Sequence, residues 1–241
     1  MERILQKLDA YTSKNDYNSA ERHLLYWLEE KRETPAAITL YNELLGVYRK
    51  TCQEEKALDT VNKALQAVDF LGLSATVTAA TTHLNAATVL HAFDRAEESL
   101  SHFEKAKEIY ERELSPTDTR LAGLYNNTGT ALVTLRRFRE ADVLYGKAIA
   151  IMKAAGDGDL EVAVTLCNMA SAVEAELGML AGEERIARLL AEAKALLEAH
   201  EERDGYYAFV LSKCAPVFGY YGHFRYAGEL EGRVKSIYEG T

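Results

Sequence analysis

Proline is nearly absent. Three occur in 241 residues, Pro35, Pro116 and Pro216, so long helices are open to most of the chain. Cysteine is as scarce. Cys52, Cys167 and Cys214 are odd in number, far apart, and include no C-x-x-C pair. That excludes a disulfide framework and fits reduced thiols. No apolar run reaches the roughly eighteen residues that span a bilayer. The opening MERILQKLDAYTSK carries charges where a signal peptide has its apolar core. No membrane association and a cytoplasmic location are therefore expected. Positive charge is also short, and the net charge is −9. A nucleic-acid partner, which needs clustered cations against phosphate, is not expected.

Catalytic patterns are missing too. The six histidines are His23, His83, His91, His102, His200 and His223. None forms H-E-x-x-H, and neither G-x-S-x-G nor G-x-x-x-x-G-K-[ST] occurs. His83 and His91, eight apart on one helix, lie on different faces, and the histidines read as packing and surface residues. The stretch GDGDLE, Gly156 to Glu161, superficially suggests calcium. Such a loop needs glycine at its sixth place and glutamate at its twelfth; Val162 and Asn168 stand there. Asp159 is expected to cap the next helix instead. Cys167 and Cys214 fall on apolar helix faces and read as inert, while Cys52, beside a turn, reads as exposed. No catalytic residue, metal or cofactor is expected.

What is present is repetition. Ala57 and Ala64, Ser99 and Ala106, and Ala141 and Ala148 are pairs spaced seven apart, and successive pairs start 42 residues apart. Between the members sit larger residues: Val61, Phe103 and Tyr145. The same register recurs upstream as Leu44, Leu45 and Tyr48, as Ala86, Ala87 and Leu90, and as Thr128, Gly129 and Leu132. A fixed period of this length marks a stacked array.

Each unit reads as two helices. Tyr125, Thr128, Gly129 and Leu132 form one i, i+3, i+4, i+7 face. A polar turn at Arg136-Arg137 follows; its arginines, with Arg139, read as a solvated turn at the negative end of a helix. Phe138, Ala141, Tyr145, Ala148 and Ile151 then form a second face. Antiparallel helices approach closely where a small side chain admits a neighbour's ridge. Gly129 and Ala141 mark that approach inside the hairpin, and Ala148 marks the approach to the next one.

These residues resemble the tetratricopeptide repeat family: Leu44-Leu45, Tyr48, Ala57 and Ala64, then Tyr125, Thr128-Gly129, Phe138, Ala141, Tyr145 and Ala148. The family's usual period is about 34. A period of 42 adds roughly one turn to each helix and is similar to the longer subtype of kinesin light chains. The segments LSPTDTRLAGLYNNTG and AGDGDLEVAVTLCNMAS resemble that subtype as well. The N-terminus (Ile4, Leu8, Tyr11, Tyr17, Ala20, Leu24) and the C-terminus (Gly222, Phe224, Ala227, Val234, Ile237) fit. Trp27 stands where a small residue is usual. The fifth unit departs: counting 42 from Ala141 lands on Glu183, so the helix near Leu180 to Ala199 is out of register. Thr34-Pro35 and Ser115-Pro116 read as N-caps before a first-turn proline, and Pro216 should kink its helix.

The expected fold is therefore all-α: a right-handed α-solenoid of about six helical hairpins forming one domain over 1–241. The repeats fall at about 1–34, 35–72, 73–114, 115–156, 157–202 and 203–241.

The resemblance implies that unpacked faces of the first helices line a groove that binds peptides. Along them run Thr39, Asn42, Gly46 and Arg49; Thr81, Leu84, Thr88 and His91; Gly123, Asn126, Thr130 and Val133; and Thr165, Asn168, Ala172 and Ala175. Asn42, Asn126 and Asn168 recur in one column, Asn85 and Asn127 in the next. Asparagine is a mediocre helix former whose amide donates and accepts at once. Asn85 and Asn127 read as ties between helices. For Asn42, Asn126 and Asn168, ligand contact and helix ties stay open. The family's co-chaperones use cations beside asparagines to clamp a carboxylate; Leu84, Gly46, Thr88, Thr130 and Ala172 occupy the corresponding places, so that clamp is missing.

The candidate groove residues are thus Thr39, Asn42, Arg49, Asn85, Asn126, Asn127, Thr130, Thr165 and Asn168. The function expected is a non-catalytic adaptor for a peptide or protein segment. A peptide-sensing regulator of a separate output protein, and a scaffold that self-associates as a homodimer, are the alternatives.

The register makes a direct prediction. Ala141→Leu and Ala148→Leu should each destabilise by about 1–3 kcal/mol through overpacking. Arg137→Ala, at the turn, should shift stability by less than about 0.5 kcal/mol. Thermal melts check both, and unchanged melts for the two leucine variants would refute the register.

Overall fold

The structure, a computed structural model, describes residues 1–239. Twelve helices occur among them: α1 Glu2–Thr12, α2 Tyr17–Lys31, α3 Pro35–Lys50, α4 Glu54–Phe70, α5 Val77–Ala92, α6 Ala96–Glu113, α7 Thr119–Thr134, α8 Phe138–Ala155, α9 Asp159–Leu177, α10 Met179–Ala199, α11 Gly205–Tyr220 and α12 Phe224–Glu239. They pack as consecutive hairpins. Contacts divide the chain into two compact units, Met1–Leu114 and a second beginning at Ser115. In the first unit α1 packs on α2, α3 on α4 and α5 on α6, with α3 also beside α5. In the second, α7 packs on α8, α9 on α10 and α11 on α12, with α9 beside both α7 and α11.

The cores are small residues pressed against large ones. Ala57, Ala64, Ser99, Ala106 and Ala141 are fully buried, as are Phe103 and Tyr145. Ala148 is 1% exposed, in keeping with the small position read for it. A side chain the size of Phe103 or Tyr145 contributes about 1.5–3 kcal/mol when fully buried. At Gly129 an added Cβ would stand 2.8 Å from Cε1 of Tyr145. Glycine inside a helix costs about 1 kcal/mol, and here it lets the tyrosine ring lie against the α7 backbone.

Three hairpin turns share one geometry. Cys52, Asp94 and Arg136 have φ of 55°, 60° and 58° and lie 42 apart. In each the next amide donates to a carbonyl five residues back: Gln53 to Tyr48 at 2.9 Å, Arg95 to Leu90 at 2.9 Å, Arg137 to Leu132 at 2.8 Å. This left-handed cap satisfies carbonyls that the helix end leaves open. Asn15 (φ 55°) and Gly222 (φ 85°) close the first and last hairpins, with Asp16 donating to Tyr11 and His223 to Phe218 at 2.9 Å each.

The fifth hairpin differs at its turn. Gly178 keeps the 42-residue place, but its φ of 81° and ψ of 164° form a region open essentially to glycine. It serves as both C-cap of α9 and N-cap of α10. Shortening the turn slips the small position from Glu183 to Gly182, which is buried. A Cβ there would meet Val173 Cγ1 at 2.9 Å.

Thr34 is the N-cap of α3 with Pro35 in its first turn, as read, though its side chain makes no capping bond. Two other N-terminal assignments need correction. Ser115-Pro116 lies in a turn before α7, whose cap is Asp118, accepting from the Arg120 amide at 3.0 Å. Asp159 is the first residue of α9, not its cap, which is Gly158. The cap of α7 thus falls three residues after the one read, and that of α9 one residue before the one read. Pro216 lies inside α11, which runs through it.

A non-glycine residue in the left-handed region costs roughly 1 kcal/mol. Cys52 is exposed. Cys52→Gly should therefore raise stability by about 0.5–1 kcal/mol, seen as a higher melting temperature. A lower one would show that the thiol makes a contact the turn needs.

Candidate functional site

In the first unit the candidate residues lie on α3 and α5. Asn42 reaches across to α5 and donates from Nδ2 to Thr82 Oγ1 at 3.2 Å. Its Oδ1 is buried with no hydrogen-bond partner. Thr39 and Asn85 are half-buried and Arg49 is exposed; none of the three makes a side-chain hydrogen bond with another described residue. Beside Asn42 stands Glu43. Burial raises its pKa, and the nearby Asp9 charge adds to the shift.

In the second unit Asn168 of α9 donates from Nδ2 to Oδ1 of Asn126 on α7, at 3.1 Å. Thr130 donates to its own helix at Asn126 O, 3.0 Å, and accepts from the Tyr145 hydroxyl at 3.3 Å. Thr165 is 3% exposed and its hydroxyl donates to Glu161 O at 2.9 Å. Burial places Thr165 in the core. Asn127 is half-buried and, like Asn85, bonds to no other described residue. The helix ties therefore fall on Asn42, Asn126 and Asn168. The expectation that Asn85 and Asn127 tie helices is corrected: neither side-chain amide has a partner among the described residues.

Sequence reasoning missed the next helix. Gly222 follows Gly178 by 44 residues rather than 42, so α11 enters the first-helix column two residues late. On that offset Phe209, Ser212 and Pro216 follow Thr165, Asn168 and Ala172. Phe209 is 49% exposed and stacks on Tyr206, with Lys213 over its ring at 5.1 Å. Tyr206 donates its hydroxyl to Oε1 of Glu161 on α9, whose Oε2 is buried and unpartnered. Tyr220 and Tyr221 each donate to Glu174 at 2.8 Å. That bond first, and the charge behind it, raise the Tyr220 pKa; for Tyr221 burial leads.

Two further pairings cross between helices. Cys167 of α9 and Cys214 of α11 are buried, and their thiol hydrogen bond, together with burial, pushes the Cys167 thiol far up. A thiol so held is unreactive. His83 of α5 and His102 of α6 meet Nδ1 to Nδ1 at 2.9 Å. Burial, then His102 and Lys105, lower His83 to about 4, against a small opposing pull from Asp69. Burial, then Lys105, lower His102.

A cleft of about 170 Å³ opens between Phe138, Arg139 and Asp142 of α8, Met169 and Glu176 of α9, and Arg185 of α10. Arg185 spans it to Asp142 at 2.9 Å. Its volume is below the roughly 300–1,000 Å³ of small-molecule sites. No described helix is long and apolar enough to cross a membrane.

Stacked helical hairpins joined by left-handed turns at a 42-residue spacing define a helical-repeat protein. The tetratricopeptide repeat model matches residues 78–154, so that segment carries tetratricopeptide-type repeats, and the chain's fold is similar to that of kinesin light chain-like repeat proteins. Its fold is similar to that of BtubC (BKLC) from P. vanneervenii, with a TM-score of 0.69 and 20% identity over 83% of this chain and 82% of that one. A putative kinesin light chain from Podosopora anserina, with nearly identical TPR-like repeats, gives 0.59 and 16% over 85% of this chain and 96% of that one. A Rap protein complexed with competence and sporulation factor gives 0.54 and 17% over 97% of this chain and 73% of that one. No curated protein sequence matches.

Glu43 yields a test of its surroundings. Its folded pKa is raised, so the ionised form opposes folding at neutral pH, and that opposition is absent once the group is protonated in both states. Glu43→Gln should raise the melting temperature at pH 7, and the gain should shrink as pH falls from the raised folded pKa towards the ordinary carboxylate value near 4.3 and be lost below it. A gain independent of pH would place its cause elsewhere.

Proposed function

We propose that the chain is a non-catalytic, cytoplasmic interaction module that holds an extended peptide or protein segment against its first helices. One observation carries the reading. The Asn168–Asn126 bond uses one donor and one acceptor, so the Nδ2 of Asn126 and the Oδ1 of Asn168 remain free of described partners. A donor and an acceptor side by side are what an extended backbone pairs with. Asn127 beside them, and Asn85 in the first unit, keep whole amides unused. The bonds already made hold the asparagines in place, so less side-chain freedom is lost when a ligand arrives. Phe209 and Lys213 on α11 offer an apolar and a cationic contact next to this row. The six repeats read from the sequence, taken as one continuous solenoid, are part of the same proposal, as is the candidate set Thr39, Asn42, Arg49, Asn85, Asn126, Asn127, Thr130 and Asn168.

A second reading rests on exposed apolar groups in the second unit. Leu180 is 90% exposed and Phe224 75%, both beside hairpin turns. Self-association through them would appear as a mass that doubles with concentration in light scattering.

Affinity capture from a native lysate, followed by mass spectrometry, supplies the ligand. Asn85→Ala and Asn127→Ala should then each weaken binding by about 0.5–1.5 kcal/mol, a factor of two to twelve. Their melting temperatures should hold or rise, because alanine is the better helix former. Asn168→Ala should lose both affinity and stability. Full binding by both the Asn85 and Asn127 variants would overturn the proposal.

A further inference from the structure

His83 and His102 are the one place in the first unit where two metal-binding nitrogens face each other directly. The rings come from opposite helices of the α5–α6 hairpin, with centroids 5.1 Å apart and Nδ1 atoms 2.9 Å apart. Both side chains are half-buried, so the helices fix them while water still reaches them. The repeat does not call for this pair: Tyr41, Tyr125 and Cys167 hold the place of His83 in other units, and Thr60 and Leu144 that of His102.

We propose that His83 and His102 form a binding site for a divalent transition-metal ion of the zinc, nickel and copper class. Bonds from such an ion to imidazole nitrogen are about 2.0–2.1 Å, and two of them at a tetrahedral angle set the nitrogens about 3.3 Å apart. The nitrogens need to separate by a few tenths of an ångström, and each ring must turn about its side-chain bonds so that both lone pairs converge on the ion. One Nδ1 now carries the hydrogen that lies between the rings. On metal binding that proton moves to Nε2 of the same ring, and two neutral imidazoles present two lone pairs with no net proton released. No third histidine, cysteine or carboxylate converges there among the described residues, so water fills the remaining positions. The Asp69 carboxylate favours a dication near His83 and the Lys105 ammonium opposes it. Imidazole selects this class over magnesium and calcium, which prefer oxygen, and copper should bind tighter than nickel or zinc. A bound ion would cross-link α5 to α6 and raise the melting temperature by mass action.

The test uses the untagged full chain at neutral pH, titrated calorimetrically with Zn²⁺, Ni²⁺ and Mg²⁺. Zinc and nickel should bind at one site per chain and magnesium should not. His83→Gln and His102→Gln should each weaken zinc at least about tenfold, while His91→Gln should bind as the parent does. Circular dichroism checks that the variants fold. Should they not, electron paramagnetic resonance of the parent with one equivalent of Cu²⁺ decides: nitrogen coupling from two imidazoles at one copper is the expected result. Coupling from one or none, unchanged zinc affinity in both glutamine variants, or no zinc uptake by the parent overturns the site.

Discussion

The closeness of the Tyr145 ring to the backbone at Gly129 is the constraint on which the second unit's first hairpin depends. A buried aromatic brings the apolar area that drives folding, but only if the facing helix yields room for it. Glycine yields that room at Gly129, and alanine yields it at Ala141 and Ala148 to either side. The first unit solves the same problem with different pairs: Val61 between Ala57 and Ala64, and Phe103 between Ser99 and Ala106. In these three hairpins the larger residue between the small ones lies on the second helix. The asparagines of the two columns lie on the first helices.

Much of this was legible in the sequence because close packing tolerates few residue types. The period of 42, the small positions and the hairpin order all follow from volume, and volume is written in residue identity. What escaped was set by the turns. A single glycine at Gly178, with a backbone conformation that other residues resist, removed residues from one turn and moved the small position from Glu183 to Gly182. Two added residues before Gly222 hid Phe209, Ser212 and Pro216 from a strict count. Pairings across helices were out of reach for another reason. His83 and His102 are 19 apart and Cys167 and Cys214 are 47 apart, and neither distance has a periodic signature.

The asparagines show how one residue type divides into roles that spacing alone cannot separate. Asn42, Asn126 and Asn168 share a column and use part of their hydrogen-bonding capacity between helices. Asn85 and Asn127, one position on, use none. A column of amides in register is a property of sequence; which amide finds a neighbour depends on how far the adjacent helix stands and what it carries opposite. Thr82 stands opposite Asn42, and Asn126 opposite Asn168.

The hairpin turns carry a different lesson. Asparagine, cysteine, aspartate and arginine occupy the left-handed position in four of them, where glycine would be the easiest fit. The backbone conformation is held by hydrogen bonds to the preceding helix and not by the identity of the side chain. A position of that kind is uncoupled from the core: its charge and chemistry can drift from neutral to anionic to cationic while the helices beneath stay as they are. Each turn is therefore a place where lineages of this fold can acquire new surface character without first solving a packing problem.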